Sequence, residues 1–260
     1  MARAKRHYIP GQIWHITHRC HKREFLLKFA KDRRRWLQWL YESRKRYGLV
    51  ILNYTVTSNH IHLLVSDDAG RNTIPDSIKL IAGRTGQEFN RRKNRKGAFW
   101  EDRYHATAIE NGGHLLRCIV YIDLNMVRAG VVNHPSDWPF GGFNEIQQPK
   151  RKKILIDYER LRQLLGFDRY EDLQTNHMKW VESSLKKQTN GRDEKWTRSL
   201  AVGSSHFIDS IKNKMGNKAK YRSRIEAGSA FQLRESTIPY SVRLGGKNSD
   251  IAGQNTYHWN

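Results

Sequence analysis

Cysteine is almost absent from this sequence: Cys20 and Cys118 are the only two among 260 residues. Two cysteines so far apart support neither a disulfide framework nor a Cys-rich zinc module, and they suit reduced thiols in a cytoplasm. No apolar run reaches the roughly 18 residues that a membrane-spanning helix needs, so no membrane span is expected. The segment Met1 to Tyr8 lacks the apolar centre of a secretory signal, which again points to a cytoplasmic protein. Acidic side chains are also scarce. Against 47 Lys and Arg stand 25 Asp and Glu, a formal net charge of +22. Self-repulsion of that size calls for a polyanionic partner, with nucleic acid first and an anionic membrane surface second.

What the chain does have is aromatic bulk: nine Phe, eight Trp and eleven Tyr offset a low hydrophobic fraction of 38% and can furnish a real core. The length suits one ordinary domain with an extension. Residues 13–20 alternate and read as a first strand. Phe29 to Tyr47 has helical spacing and ends at Gly48. The apolar stretches 49–56 and 60–66, joined by a very short connection, read as antiparallel neighbours. Ile74 to Asn90 reads as a second helix, residues 99–109 as another extended stretch, and His114 to Gly130 as a helix closed by glycine.

The centre of interest is Ser58-Asn59-His60-Ile61-His62-Leu63-Leu64-Val65, which holds the sequence's only His-x-His. In a strand His60 and His62 share one face, about 7 Å apart, while Ile61, Leu63 and Val65 share the other. Two imidazoles so placed can chelate a divalent ion. His15, His18 and His21 recur every three residues instead, so His18 would face away from the other two and no metal cluster is expected there. On the late helix, Arg117, Tyr121 and Asn125, with His114 and Arg128, form a narrow polar seam opposite a broad apolar arc. Asp123 falls inside that arc and needs a partner that the helix itself does not supply.

Several cations read two ways. Arg91, Arg92, Lys93, Arg95 and Lys96 form either a solvated loop or a dense phosphate site. Phe99 reads as core, whereas Trp100 and Tyr104 suit either a core or stacking on unpaired bases.

Taken together, Gly11-Gln-Ile-Trp-His-Ile-Thr-His-Arg, Ser58-Asn-His-Ile-His-Leu-Leu, Phe89-Asn-Arg-Arg, Phe99-Trp-Glu-Asp-Arg-Tyr, Tyr121-Ile-Asp-Leu-Asn-Met-Val-Arg-Ala-Gly and Asp137-Trp-Pro-Phe resemble the landmarks of the REP-associated tyrosine transposases. These belong to the IS200-like branch of the HUH single-strand DNA nucleases. The resemblance runs from about residue 8 to residue 143. It implies an α+β, ferredoxin-like βαββαβ fold with an antiparallel sheet, and an enzyme that cuts and rejoins single-stranded DNA beside hairpins through a 5′-phosphotyrosine. By position it implies Tyr121 as nucleophile and His60, His62 and Asn125 as ligands of Mg²⁺ or Mn²⁺. Two positions depart from the family pattern: Met126 stands where proline is usual, and Asp123 where histidine is common.

DNA-contact candidates are Lys5, Arg6, Arg91, Arg92, Arg95, Lys96, Arg103 and Arg117, the last also placed to hold the phosphate or steady the phenolate. The expected organisation is a catalytic domain over 1–148, a basic helical C-terminal extension over 149–216, and a mobile tail over 217–260. In the extension, 157–165, 170–187 and 205–215 carry helical periodicity. The expected protein is a monomer or homodimer acting in the bacterial cytoplasm at the nucleoid. The competing class is a catalytically idle regulator of hairpin DNA or RNA; a replication initiator or relaxase of the same chemistry is a third reading.

Overall fold

Four strands, two of them buried on both faces, build the centre of the molecule. β1 (Ile13–Arg19), β2 (Val50–Val56), β3 (His60–Ser66) and β4 (His105–Ile109) lie in the order β2-β3-β1-β4, every neighbouring pair antiparallel. With α1 (Ala30–Tyr47) between β1 and β2 and α2 (Thr73–Lys93) between β3 and β4, this is the βαββαβ ferredoxin-like arrangement. The structure is a computed structural model and describes residues 9–235 apart from 69, 71, 188–192, 221 and 229.

Ile61, Leu63 and Val65 of β3 are buried, as the alternation requires of the inward face. α1 buries Trp36 and Leu40 and stops where Gly48 takes a left-handed φ of 69°, a conformation glycine adopts without steric cost. The two helices are tied by charge: Glu88 of α2 pairs with Arg35 and accepts from Trp39 Nε1 at 3.2 Å, and Arg92 pairs with the buried Asp32. α2 runs three residues further than its periodicity indicated. Arg91, Arg92 and Lys93 therefore sit in its last turn, where cations suit the helix dipole.

The extended stretch expected over 99–109 is shorter. Only 105–109 joins the ladder, and Trp100 makes an isolated bridge with Cys20. Phe99 is buried, Trp100 stacks on His18 with ring centroids 4.1 Å apart, and its Nε1 donates to the Ala82 carbonyl at 3.0 Å. The late helix also differs from expectation. α3 (Gly113–Asp123) gives way at Leu124 (φ −77°, ψ 5°), and α4 (Asn125–Arg128) follows as a separate turn.

Beyond the core come α5 (Phe143–Gln147), α6 (Tyr158–Leu164), α7 (Tyr170–Lys186), α8 (Lys195–Arg198), β5 (Ala201–Gly203), α9 (Ser205–Met215), β6 (Arg222–Ala227) and β7 (Ala230–Glu235). The three expected helices are present as α6, α7 and α9, but the extension is not helical alone. β5 runs parallel beside β4, and β7 and β6 follow, giving a seven-stranded sheet in the order β2-β3-β1-β4-β5-β7-β6. The expectation of a mobile tail from 217 is corrected for Arg222–Ala227 and Ala230–Glu235, which pair as antiparallel strands. Leu233, fully buried, anchors them where the surrounding polarity had concealed a strand. Residues 236–260 lie outside the described residues. No helix among the described residues is long and apolar enough to cross a membrane.

Nor does the chain leave the core at 149. The buried Glu145 carboxylate accepts from the Leu155 and Ile156 amides at 2.7 and 2.9 Å and from Tyr54 Oη at 3.1 Å, so the start of the extension is drawn onto β2. Asp123 finds its partners the same way. Its carboxylate accepts from Asn53 Nδ2 of β2 at 2.9 Å and from His177 Nε2 of α7 at 2.8 Å. Gln147 Nε2 donates to His177 Nδ1 at 2.7 Å, which leaves Nε2 as the nitrogen carrying the proton.

A buried carboxylate that loses one donor keeps its desolvation cost. His177→Ala should therefore lower unfolding stability by about 2–4 kcal/mol in urea titration, while Lys179→Ala, on the same helix, should change it by less than about 0.5 kcal/mol.

Candidate active site

The strand register decides which side chains meet. Thr17 of β1 lies opposite His62 on one side and His105 on the other, Arg19 lies opposite His60, and His15 opposite Thr107. Cross-strand partners share a face, so His15, His60, His62 and His105 all look out of the same side of the sheet. α3 lies across that side, held by Thr55 Oγ1 donating to the Ile122 carbonyl at 3.1 Å. The result is a cleft of about 630 Å³ lined by His60, His62, Arg103, His105, Tyr121, Asn125 and Arg128, with Thr197 and Arg198 from the extension.

His60 is oriented by the turn before it. Thr57 Oγ1 accepts the His60 amide at 3.0 Å and donates to the His60 carbonyl at 2.9 Å, and His60 Nδ1 meets Asn59 Oδ1 at 2.8 Å. An amide oxygen only accepts, so Nδ1 carries the proton and Nε2 the lone pair. His62, 2% exposed, has Nδ1 at 2.9 Å from His15 Nε2 and Nε2 at 2.9 Å from Asn125 Nδ2. The His60 and His62 rings stand 5.0 Å apart, centroid to centroid, with planes at 78°.

Tyr121, 8% exposed, stands edge-on to His62 with centroids 5.8 Å apart, and edge-on to His15 at 6.2 Å. Arg128 covers its ring: the guanidinium carbon is 4.1 Å from the ring centroid, and Nη2 donates to the Tyr121 carbonyl at 2.5 Å. Burial pulls the Arg128 guanidinium below the ordinary arginine range, countered by Tyr121 beside it. Trp196 of α8 flanks Tyr121 on another side, with centroids 6.0 Å apart.

Of the residues singled out in the sequence, Tyr121, His60, His62, Asn125 and Arg103 come together in the cleft. The other described DNA-contact candidates do not line it. Arg91 and Arg92 line a separate groove between α1 and α2. Arg95 is engaged with the Ala98 carbonyl at 3.0 Å and Glu24 at 3.5 Å. Lys96 is exposed, and Lys5 and Arg6 lie outside the described residues. Arg117 is exposed on α3 and is not among the side chains lining the cleft, so the place beside the phenol belongs to Arg128.

His15 is the residue that spacing alone undervalued. It is fully buried, its Nδ1 meets the Trp196 carbonyl at 2.9 Å, and it backs His62 from within the sheet. The parity of β1 against β3 could have found it, had the register been known. Burial, with a small addition from His105 and against the Trp196 carbonyl, pushes its pKa down to about 3.

Among the described residues no group of three or more His, Cys, Asp or Glu side chains is placed to hold a metal. Two neutral imidazoles with lone pairs on Nε2 nevertheless fit a divalent cation, with Asn125 adding an oxygen if its amide turns to present Oδ1.

Residues 9–125 match the family described as "Transposase IS200 like". No curated protein is similar to the chain at a comparable level. Among solved structures, a REP-associated tyrosine transposase bound to a REP hairpin is 24% identical, with a TM-score of 0.47 over 56% of this chain and 84% of that one. A protein of Deinococcus radiodurans described as a transposase is 15% identical, with a TM-score of 0.33 over 50% of this chain and 92% of that one.

A histidine kept neutral by folding loses its stabilising effect as acid protonates the unfolded chain. For His15 that contribution is complete above pH 6.5 and is lost as pH falls toward about 3. Between pH 7.5 and 4 the protein should lose about 3 kcal/mol more stability than His15→Gln does, read from urea midpoints at the two pH values. The cleft's side chains up to Asn125 and the four strands that place them fall within residues 9–125, the stretch that matches the IS200-like transposase family.

Proposed function

We propose that this domain is a metal-dependent single-strand DNA nuclease and strand transferase, with Tyr121 as its nucleophile. The observation that carries the reading is the meeting of Tyr121, His60, His62, Asn125 and Arg128 in one cleft, all from the same chain. The net charge of +22 supports a nucleic-acid substrate. The motif resemblance supports single-stranded DNA beside a hairpin as its class, met in the bacterial cytoplasm at the nucleoid.

In the proposed reaction the Tyr121 hydroxyl gives its proton to solvent, its oxygen forms a bond to phosphorus, and the bond from phosphorus to the 3′ oxygen breaks. The products are a 5′-phosphotyrosine and a 3′-hydroxyl, which takes up a proton. The phosphoester energy stays in the covalent link, so the reverse attack rejoins a strand without ATP. A phenol of ordinary pKa near 10 is about one part in a thousand ionised at pH 7, a cost of about 4 kcal/mol. Arg128, stacked over the ring and desolvated, offsets part of it by favouring the phenolate. His60, His62 and Asn125 would hold Mg²⁺ or Mn²⁺, which when bound polarises a non-bridging phosphate oxygen. Arg103, at the cleft wall, is placed to meet the backbone phosphates.

The test is a covalent adduct. The protein, incubated with hairpin-bearing single-stranded oligonucleotides and Mn²⁺, should yield a complex that survives SDS, and EDTA or Tyr121→Phe should abolish it. Tight binding with no adduct would favour the idle hairpin regulator. Arg128→Met should slow adduct formation about 10- to 100-fold while leaving hairpin affinity within about twofold.

A further inference from the structure

The family match ends at residue 125, yet Thr197 and Arg198, in the segment 196–200, line the cleft. That segment is clamped to the histidine-bearing face of the sheet. The Trp196 carbonyl accepts from His15 Nδ1 at 2.9 Å and from Thr107 Oγ1 at 3.3 Å. The Ser199 carbonyl meets Thr107 Oγ1 at 2.6 Å and His105 Nε2 at 2.9 Å, and the Leu200 carbonyl accepts the Ala108 amide at 2.8 Å. Trp196 lies in a single helical turn, and its carbonyl is one of those a helix end leaves for an outside donor.

We propose that this segment is a working part of the nuclease site: through His15 it sets the tautomer of His62 that turns the Nε2 lone pair toward the cleft. The inference rests on the function proposed above and adds a positioning role for a region outside the family match.

The argument follows the protons. A carbonyl oxygen can only accept, so His15 Nδ1 carries hydrogen. His15 Nε2 and His62 Nδ1, 2.9 Å apart, then share one proton between them. Placing it on His15 would make an imidazolium in a fully buried position whose neighbour at Nδ1 is a neutral carbonyl. It therefore belongs to His62 Nδ1, and His62 Nε2 is left with its lone pair. The ring planes lie 10° apart, so the shared N–H can point within both rings. At the far end, Asn125 Nδ2 faces His62 Nε2 at 2.9 Å, a donor turned toward an acceptor, as this assignment requires. Carbonyl, His15 and His62 thus form a directed chain whose polarity begins in the extension and ends in the cleft. A supporting partner of this kind fixes both tautomer and ring orientation of a metal-binding histidine.

Long-range ¹H–¹⁵N spectra of the full chain, labelled at histidine and free of metal at pH 7.5, read the tautomers without any need for activity. In the wild type, His15 and His62 should each show a protonated Nδ1 and a lone-pair Nε2. His15→Phe, which keeps a ring but no acceptor, should move the His62 proton to Nε2 and weaken Mn²⁺ binding about 10- to 100-fold, measured by Mn²⁺ electron paramagnetic resonance. His15→Gln, which restores an acceptor, should return His62 to Nδ1–H and bring Mn²⁺ affinity back to within about fivefold of wild type. A wild-type His62 or His15 protonated at Nε2 overturns the inference, even if His15→Phe does not fold. So does an unchanged His62 tautomer in a folded His15→Phe. If the tautomers behave as expected and no DNA adduct forms, the nuclease reading fails while the relay stands; if the adduct forms and the tautomers do not, the reverse holds.

Discussion

His62 is engaged on both ring nitrogens at once, by His15 from inside the sheet and by Asn125 from across the cleft. A buried imidazole that must stay neutral needs an acceptor on one side and a donor on the other, and each has to come from a different part of the chain. β1 brings His15, the turn after α3 brings Asn125, and α8 closes the chain of hydrogen bonds with a backbone carbonyl. The antiparallel register of β1 on β3 is therefore as much a condition of the site as the histidines themselves. A shift of one residue would turn His15 and His62 to opposite sides.

The interruption at Leu124 belongs to the same design. α3 carries Tyr121 over the sheet, and the separate turn α4 lets Arg128 reach back to the tyrosine's carbonyl and lie over its ring. α3 is itself tethered at its end by Asp123, which joins β2 to α7 through Asn53 and His177. The acidic side chain that is out of place on an isolated amphipathic helix is, in the folded chain, where core and extension are held together.

Many of the cations behind the large net charge are committed within the protein. Arg33 donates to the Leu27 and Lys28 carbonyls and lies over Trp138 and Phe140, Arg92 neutralises Asp32, and Arg35 pairs with Glu88. An outside anion competes with such internal partners, and at the cleft wall Arg198 is itself paired with Glu194 at 2.9 Å, so the tally of basic residues overstates the charge open to a ligand.

Side-chain periodicity is local, and what is local was legible. Alternation placed β1, apolar runs placed β2 and β3, helical spacing with Gly48 placed α1, and the His-x-His pair, the tyrosine and the amide stood out as chemistry awaiting a meeting. Short strands such as β5, and a strand pair such as β6 and β7 with little apolar content of its own, gain their stability from neighbours far off in sequence. No window of residues announces them. For the same reason the roles of His15, Arg128 and Trp196 were decided by tertiary structure alone. Strand register, a broken helix and the docking of a distant segment bring together residues up to 181 positions apart, and hydrogen bonds across such separations leave no periodic trace in the sequence.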